Sequence, residues 1–112
     1  TVIYTLSLHD ALPIYNAPVV LIVLADKAAP TYLYDGTLVM ENLMLAAHDE
    51  GLGSCWIHRA KEEFESKEGK EILKSLGIGG DYEGILHCVI WYVNGDYPKT
   101  SPRRENRVFY VE

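Results

Sequence analysis

The sequence predicts one domain in which β-strands and α-helices share a single hydrophobic core. Two apolar runs, Ala17–Ala25 and Gly84–Val93, have the length and the β-branched content of buried strands. Between them, apolar residues recur at helical spacing after Asp35. A chain of 112 residues is long enough for one such core and offers little room for a second. We therefore expect a mixed fold of strands and helices.

The first segment, residues 1–14, is expected to be foreign to this domain. Tyr4–Ile14 reads YTLSLHDALPI, which one frame of a sequencing adaptor encodes. The alternative is a natural N-terminal helix whose leucines cover the core. We assign residues 1–14 as a non-native segment and residues 15–112 as the domain, and we give His9 and Asp10 no catalytic role.

The first strand and helix are predicted from residues that typically begin or end such elements, as well as from their hydrophobic pattern. Pro18 suits the start of the strand Ala17–Ala25, where a missing N–H costs least. A helix is expected to open at residues 35–37, with Asp35 or Thr37 as its N-cap, and to end at Gly51. Because this helix is apolar around most of its girth, we expect it to be central and buried.

The second half of the chain repeats this alternation. We predict an extended segment at Gly53–Ile57, a short helical stretch at Arg59–Phe64 and a helix that Ser66 caps and Gly77 ends. The long strand Gly84–Val93 follows, and a last extended piece is expected at Val108–Val111.

Composition excludes several classes of protein. The net charge of -6 argues against a nucleic-acid partner. The apolar run Ala17–Ala25 is far shorter than the roughly 20 residues that span a bilayer, so no membrane association is expected. Cys55 and Cys88 lie far apart and form no CxxC pair, which favours reduced thiols and a cytoplasmic location. No cluster of metal ligands or hydrolase motif is present, so we assign no metal and no catalytic side chain.

Three local features could bind a ligand, and each has a structural alternative. The segment Gly51–Ile57 combines two glycines with Trp56, but a helix cap followed by a core strand would look the same. His58 and Arg59 offer a hydrogen-bond donor and a positive charge, or they begin the surface of the next helix. The adjacent Arg103 and Arg104 could bind a phosphate, or they form part of a solvated surface run.

Taken in order, these stretches resemble the nitroreductase family of flavoproteins. The most telling phrase is LAAHDEGLGSCWI, which joins the helix to the short strand. The other matching pieces are Ala17–Lys27, Asp35–Met40, Asn42–His48 and the stretch from Pro102 to Val111. Their spacing suits the C-terminal half of the family's domain.

The resemblance implies an α+β fold, in which a partial antiparallel sheet is flanked by helices around a buried central helix. It implies a homodimer that binds FMN between its subunits. It also implies an FMN-dependent oxidoreductase, which takes electrons from NAD(P)H and passes them to small-molecule acceptors such as nitroaromatics or quinones.

The resemblance also assigns site residues. In the family, the segment after the central helix passes the flavin ring, which corresponds here to Cys55, Trp56, Ile57, His58 and Arg59. Basic residues near the C-terminus meet the FMN phosphate, and Arg103 and Arg104 match them best.

Departures from the family pattern limit what this chain is expected to do alone. The family's Arg-Ser-x-Arg segment and the helices after it are missing, and Trp91 stands where a glycine is usual. We therefore expect the chain to be an incomplete, inactive C-terminal part of such an enzyme. The alternative from another class is a small α/β binding module without redox activity.

Overall fold

The fold is seen in a computed structural model, which describes residues 2–6 and 15–111. Its elements follow the chain in the order β1 (Val2–Leu6), β2 (Val19–Asp26), α1 (Tyr32–Asp49), β3 (Leu52–Ile57), α2 (Ala60–Glu65), α3 (Lys67–Ser75) and β4 (Tyr82–Tyr92).

Within the described residues, the strands form one antiparallel sheet in the order β1-β2-β4-β3. The predicted α+β class, with an antiparallel sheet and flanking helices, is thus confirmed. Strand β1 was not expected, because it lies in the segment assigned as foreign; it pairs with β2 from Val2↔Leu24 to Leu6↔Val20. The origin of residues 1–14 stays a prediction.

One face of the sheet is covered by α2 and α3. Side chains from β2, β3 and β4 meet Ala60 and Phe64 of α2 there, and Ile72 and Leu73 of α3 pack against the same cluster. Burial of this apolar surface is the main force that holds α2 and α3 on the sheet. The buried strand residues of this cluster are Val20, Ile22, Leu24, Ile57 and Val89.

Among residues 15–111, the other face is covered by α1 alone. Met40 is fully buried against the strands, and Val39, Leu43 and Met44 are half-buried beside it. The outer side of the helix is open, because Leu38 and Leu45 are 64% and 58% exposed. The helix is therefore buried along one side only, whereas its apolar girth predicted burial around most of it.

Strand β4 contains an irregularity that decides which side chains face which helix. Val23 pairs with Leu86 and Leu24 with Gly84, so Ile85 is an extra residue in the ladder. Ile85 and Leu86 consequently belong to the same core cluster, on the α1 face. His87 and Gly84 both face α2, although residues three apart in a regular strand point in opposite directions.

The helix ends are partly as predicted. Ser66 caps α3, since its hydroxyl oxygen accepts from the Gly69 N–H at 3.0 Å. Gly51 has a φ of 71°, as expected of a residue that ends a helix in the left-handed region. The predicted start of α1 is wrong: the helix begins at Tyr32, and its N-cap Thr31 makes no capping bond.

The predicted N-caps of α1 are instead placed inside the helix. The Thr31 hydroxyl donates to the Asp35 carboxylate at 2.8 Å, and the Thr37 hydroxyl donates to the Leu33 carbonyl at 2.7 Å. Asp35, in the first turn, and Thr37, in the second, thus satisfy their polar groups locally, which makes a position within the helix tolerable.

Residues 93–111 contain no helix or strand. The residues predicted to form a last extended piece, Val108–Val111, lie exposed and pair with no described strand. None of the helices in residues 15–111 combines the length and the apolar character that crossing a bilayer requires.

Candidate functional site

Strand β3 divides the predicted flavin-ring segment between the two faces of the sheet. Cys55 is half-buried and Ile57 is buried, and both pack into the core beneath α2 and α3. Trp56 points to the opposite face, pairs with Cys88 across the ladder and is 39% exposed. Of these three side chains, only that of Trp56 offers a large surface to a ligand.

His58 and Arg59 follow β3 and are both exposed. Arg59 is the N-cap of α2, where its carbonyl accepts from the Glu63 N–H at 3.2 Å. The tight turn from strand to helix therefore aims two side chains outward at one end of the sheet. The candidate contacts with a ligand here are Trp56, His58 and Arg59, together with the backbone of this turn.

A cavity of about 350 Å³ adjoins this turn. It is lined by Arg59, Glu62, Glu63 and Ser66. One guanidinium and two carboxylates give it a mixed charge that is negative on balance. Such a lining repels a phosphate but accepts a polar, uncharged group that both donates and accepts hydrogen bonds.

The structure adds a buried pair that the sequence did not single out. His87 is fully buried, and its Nε2 lies 2.5 Å from Oε2 of Glu63. Its Nδ1 has no partner among the described residues. Because a carboxylate accepts, Nε2 is the donor in this contact. The pair anchors α2 to the centre of the sheet.

The signal for this pair in the sequence is weak. A histidine within the apolar run of β4 demands a partner, because buried polar groups are almost always bonded. No spacing rule identifies Glu63, which is 24 residues earlier, as that partner.

A second polar cluster links α1 and α2 to the start of β4. The buried Glu83 accepts from the Tyr32 hydroxyl at 3.3 Å and lies 3.4 Å from Nζ of Lys61. The pKa of Lys61 is raised, first by the hydrogen bond to Glu83 and then by the charges of Glu83 and Glu65. Beside them, Lys27 pairs with Asp81 at 2.8 Å, and this contact raises the pKa of Lys27.

The predicted phosphate-binding residues lie elsewhere. Arg103 and Arg104 are exposed in the irregular tail, and neither forms an ion pair or a side-chain hydrogen bond with residues 15–111. Both guanidinium groups are thus available to an anion. The structure does not bring them into contact with the turn at His58 and Arg59.

The start of the tail packs against the end of α1. Tyr97 packs edge-on against His48 at the end of α1, with ring centroids 5.4 Å apart. The unusual Trp91 is also accommodated, because it pairs with Gly53 across the ladder. A Cβ at Gly53 would lie 3.0 Å from the indole Nε1, so the glycine provides the space that the tryptophan occupies.

The fold and the segment order match one family of proteins. A sequence model described as "Nitroreductase family" covers residues 6–90. The chain therefore belongs to the nitroreductase family. The match includes β3 and α2 but ends before Arg103 and Arg104. Among curated proteins, no relative matches the chain.

Solved structures with a similar fold include two nitroreductases with bound FMN. The protein from Bacteroides fragilis superposes with a TM-score of 0.77 at 24% identity, over 95% of this chain and 57% of its own. That from Desulfitobacterium hafniense gives 0.72 at 24% identity, over 88% and 53%. The chain thus spans little more than half the length of these neighbours.

A third similar structure holds a second bound molecule beside FMN. Iodotyrosine deiodinase, bound to FMN and 3-iodo-L-tyrosine, superposes with a TM-score of 0.60 at 26% identity. The superposition covers 86% of this chain and 48% of the deiodinase. The fold alone therefore does not identify an electron acceptor.

Proposed function

We propose that the whole protein is an FMN-dependent oxidoreductase, which takes electrons from NAD(P)H and reduces a small acceptor such as a nitroaromatic or a quinone. The observation that carries this proposal is the family match across β2, α1, β3 and α2. The bound FMN named for the neighbours supports the choice of cofactor.

The exposed groups at the β3–α2 turn fit one part of this cofactor. FMN supplies the electron-transfer chemistry, and the protein has to hold its ring and phosphate and tune its charge. Trp56 offers a flat apolar surface, and His58 and Arg59 offer donors at the end of the same strand. We propose that this turn borders the ring, with Cys55 and Ile57 supporting it from within the core.

Charge separates the proposed ring site from the proposed phosphate site. Glu62 and Glu63 make the cavity at Arg59 a poor place for a phosphate. Arg103 and Arg104, which have no partner in residues 15–111, are suited to one because paired arginines bind phosphate oxygens through two forks. We propose that they clamp the phosphate once the tail is placed by the rest of the protein.

We further propose that the whole protein is a homodimer in the cytoplasm and that the 112-residue chain alone has no turnover. The open side of α1, with Leu38 and Leu45 exposed, supports a surface that further protein covers. The exposed, unpaired arginines support the absence of activity, since nothing in residues 15–111 holds them near the turn.

The decisive experiment is a titration of FMN into the full-length protein, followed by anaerobic addition of NADPH or NADH. A flavoprotein retains a yellow cofactor whose visible absorbance is lost on reduction and returns with an acceptor. The acceptors to compare are a nitroaromatic, a quinone and 3-iodo-L-tyrosine. A colourless protein that takes up no FMN would leave the non-redox binding module as the answer.

The phosphate role has its own matched test. The variant Arg103→Gln, Arg104→Gln should bind FMN about tenfold or more weakly, since each charge-assisted pair contributes roughly 1 kcal/mol or more. Riboflavin, which lacks the phosphate, should bind both proteins equally. Arg107→Gln, in the same exposed tail, is the control and should leave FMN binding unchanged.

A further inference from the structure

A second cavity, of about 380 Å³, lies between α3 and the start of β4. Its lining shares no residue with the cavity at Arg59. None of the residues proposed to contact FMN lines this cavity.

The floor of this cavity is apolar and partly aromatic. Tyr82, Leu73 and Ile78 are half-buried there, and the ring of Phe64 lies beneath them in the core. When a flat hydrophobic group covers half-exposed apolar side chains, it removes apolar surface from water, which is favourable. The floor is therefore suited to an aromatic or aliphatic ring.

The rim of the cavity is positively charged within an acidic chain. Lys70 and Lys74 line it from successive turns of α3, and neither has an ion-pair partner in residues 15–111. The one carboxylate on the rim, that of Asp81, is neutralised by Lys27 at 2.8 Å. Two uncompensated lysines thus face the cavity, although the net charge of the chain is -6.

The cavity is formed in advance of any ligand. Gly77 takes a φ of 73°, its N–H donates to the Lys74 carbonyl, and the Ile78 N–H donates to the Leu73 carbonyl, each at 3.0 Å. On the other side, the Lys27 N–H donates to the Asp81 carbonyl at 3.0 Å and fixes the end of the loop. A preformed wall lowers the entropy that a ligand has to offset on binding.

From the apolar floor and the paired lysines, we propose that this cavity binds a small aromatic carboxylate. The ring lies on Tyr82, Leu73 and Ile78, and the carboxylate meets Lys70 and Lys74. The site does not depend on FMN, so it stands or falls separately from the oxidoreductase function.

The test is equilibrium dialysis of 2-naphthoate against the 112-residue chain without FMN. A ligand of this size with ordinary efficiency binds with a Kd of about 1 mM. The uncharged 2-naphthamide should bind about tenfold more weakly. Lys70→Gln, Lys74→Gln should also weaken 2-naphthoate about tenfold, since exposed charge pairs contribute up to about 1 kcal/mol each.

Two further variants distinguish binding in the cavity from nonspecific attraction of an anion to the lysines of α3. Lys67→Gln changes the same charge on the same helix, but Lys67 pairs with Glu71 and lies outside the cavity; it should bind like the parent chain. Gly79→Leu keeps the charge and adds a bulky side chain to a residue of the cavity lining, where a Cβ meets no atom within 4 Å; it should abolish binding. Equal binding of the acid and the amide, no loss in either cavity variant, or no binding of 2-naphthoate would each refute the proposal.

Discussion

The two faces of the sheet are covered in different ways. On the α2–α3 face, backbone and side chains come into close contact, and a buried histidine is paired with a helix carboxylate. On the α1 face, the contact consists of apolar side chains, and the outer side of the helix still exposes leucines. The first face is covered by two helices that make polar as well as apolar contacts with the strands. The second is a helix layer with one side open, so the two faces should respond differently to substitution.

The largest expected difference concerns glycines on the two faces. A Cβ at Gly84 would lie 2.3 Å from the Ala60 carbonyl oxygen, so α2 has to move. Gly84→Ala should cost about 3 kcal/mol in the free energy of unfolding, measured by urea denaturation. Gly79→Ala, whose Cβ has open space, is the control.

The corresponding change on the α1 face should be milder. A Cβ at Gly36 would lie 2.6 Å from Cγ1 of Ile85, a side chain that can shift. Alanine also gains about 1 kcal/mol over glycine inside a helix. Gly36→Ala should therefore stay within about 1 kcal/mol of the parent chain. A loss as large as that of Gly84→Ala would show that the α1 face is packed as tightly as the other.

The next effect tests the polar pair on the α2 face. Glu63→Ala leaves both ring nitrogens of the buried His87 without a partner among the described residues, at a cost of about 2 kcal/mol. Glu62→Ala, one residue earlier and exposed, should change the free energy of unfolding by less than about 0.5 kcal/mol. Equal effects would show that the pair contributes nothing to stability.

A smaller effect is expected on the α1 face at alkaline pH. Burial raises the pKa of the Cys88 thiol from 9.0 to about 11, with a lesser contribution from Cys55. Between these values the unfolded chain loses this proton and the folded chain keeps it, so stability is full below pH 9 and falls as the pH approaches 11. With allowance for partial screening, the loss is about 1 to 2 kcal/mol.

The measurement is the free energy of unfolding at pH 8.5 and at pH 10. Cys88→Ala lowers stability at both values but should flatten the decline between them. Because the raised pKa values of Lys27 and Lys61 lie above 10.5, these lysines contribute to the decline only at still higher pH. An unchanged slope in the variant would exclude Cys88 as its cause.

The smallest effect on stability is expected on the open side of α1. Leu38→Lys, Leu45→Lys should change the free energy of unfolding by less than about 1 kcal/mol, because both side chains are more than half exposed. The same variant should reduce self-association in sedimentation experiments. Glu41→Lys, an exposed change on this helix, is the control. Unaltered association would show that this side of α1 is not the contact surface.

Much of the fold could be predicted because its signals are local. The cap at Ser66, the left-handed residue Gly51 and the long apolar runs each act within a few residues. The start of α1 was missed because Asp35 and Thr37 can satisfy their side chains inside a helix as well as at its cap. Strand formation at Val108–Val111 depends on a partner strand, which no local pattern supplies.

The site was less accessible to sequence reasoning for the same reason. The resemblance selected residues 55–59 as a block, but strand alternation sends Cys55 and Ile57 into the core and leaves Trp56 outside. The partners of His87 and Glu83 come from α1 and α2, and their distance in sequence gave no indication of contact. Whether Arg103 and Arg104 reach the ring site stays a prediction.

The extra residue at Ile85 has a consequence for how the length of the chain can vary. The side chains of β4 change their alternation at this point. Deleting or inserting one residue between Gly84 and His87 would therefore reverse which side chains face α1 and which face α2, in the part of β4 either before or after the change. Either the imidazole would turn towards Met40, or the position that tolerates only glycine would. Insertions and deletions should therefore be excluded from β4 and tolerated in the exposed stretch of residues 98–107, a pattern that a scan of single-codon deletions would reveal without any purified protein.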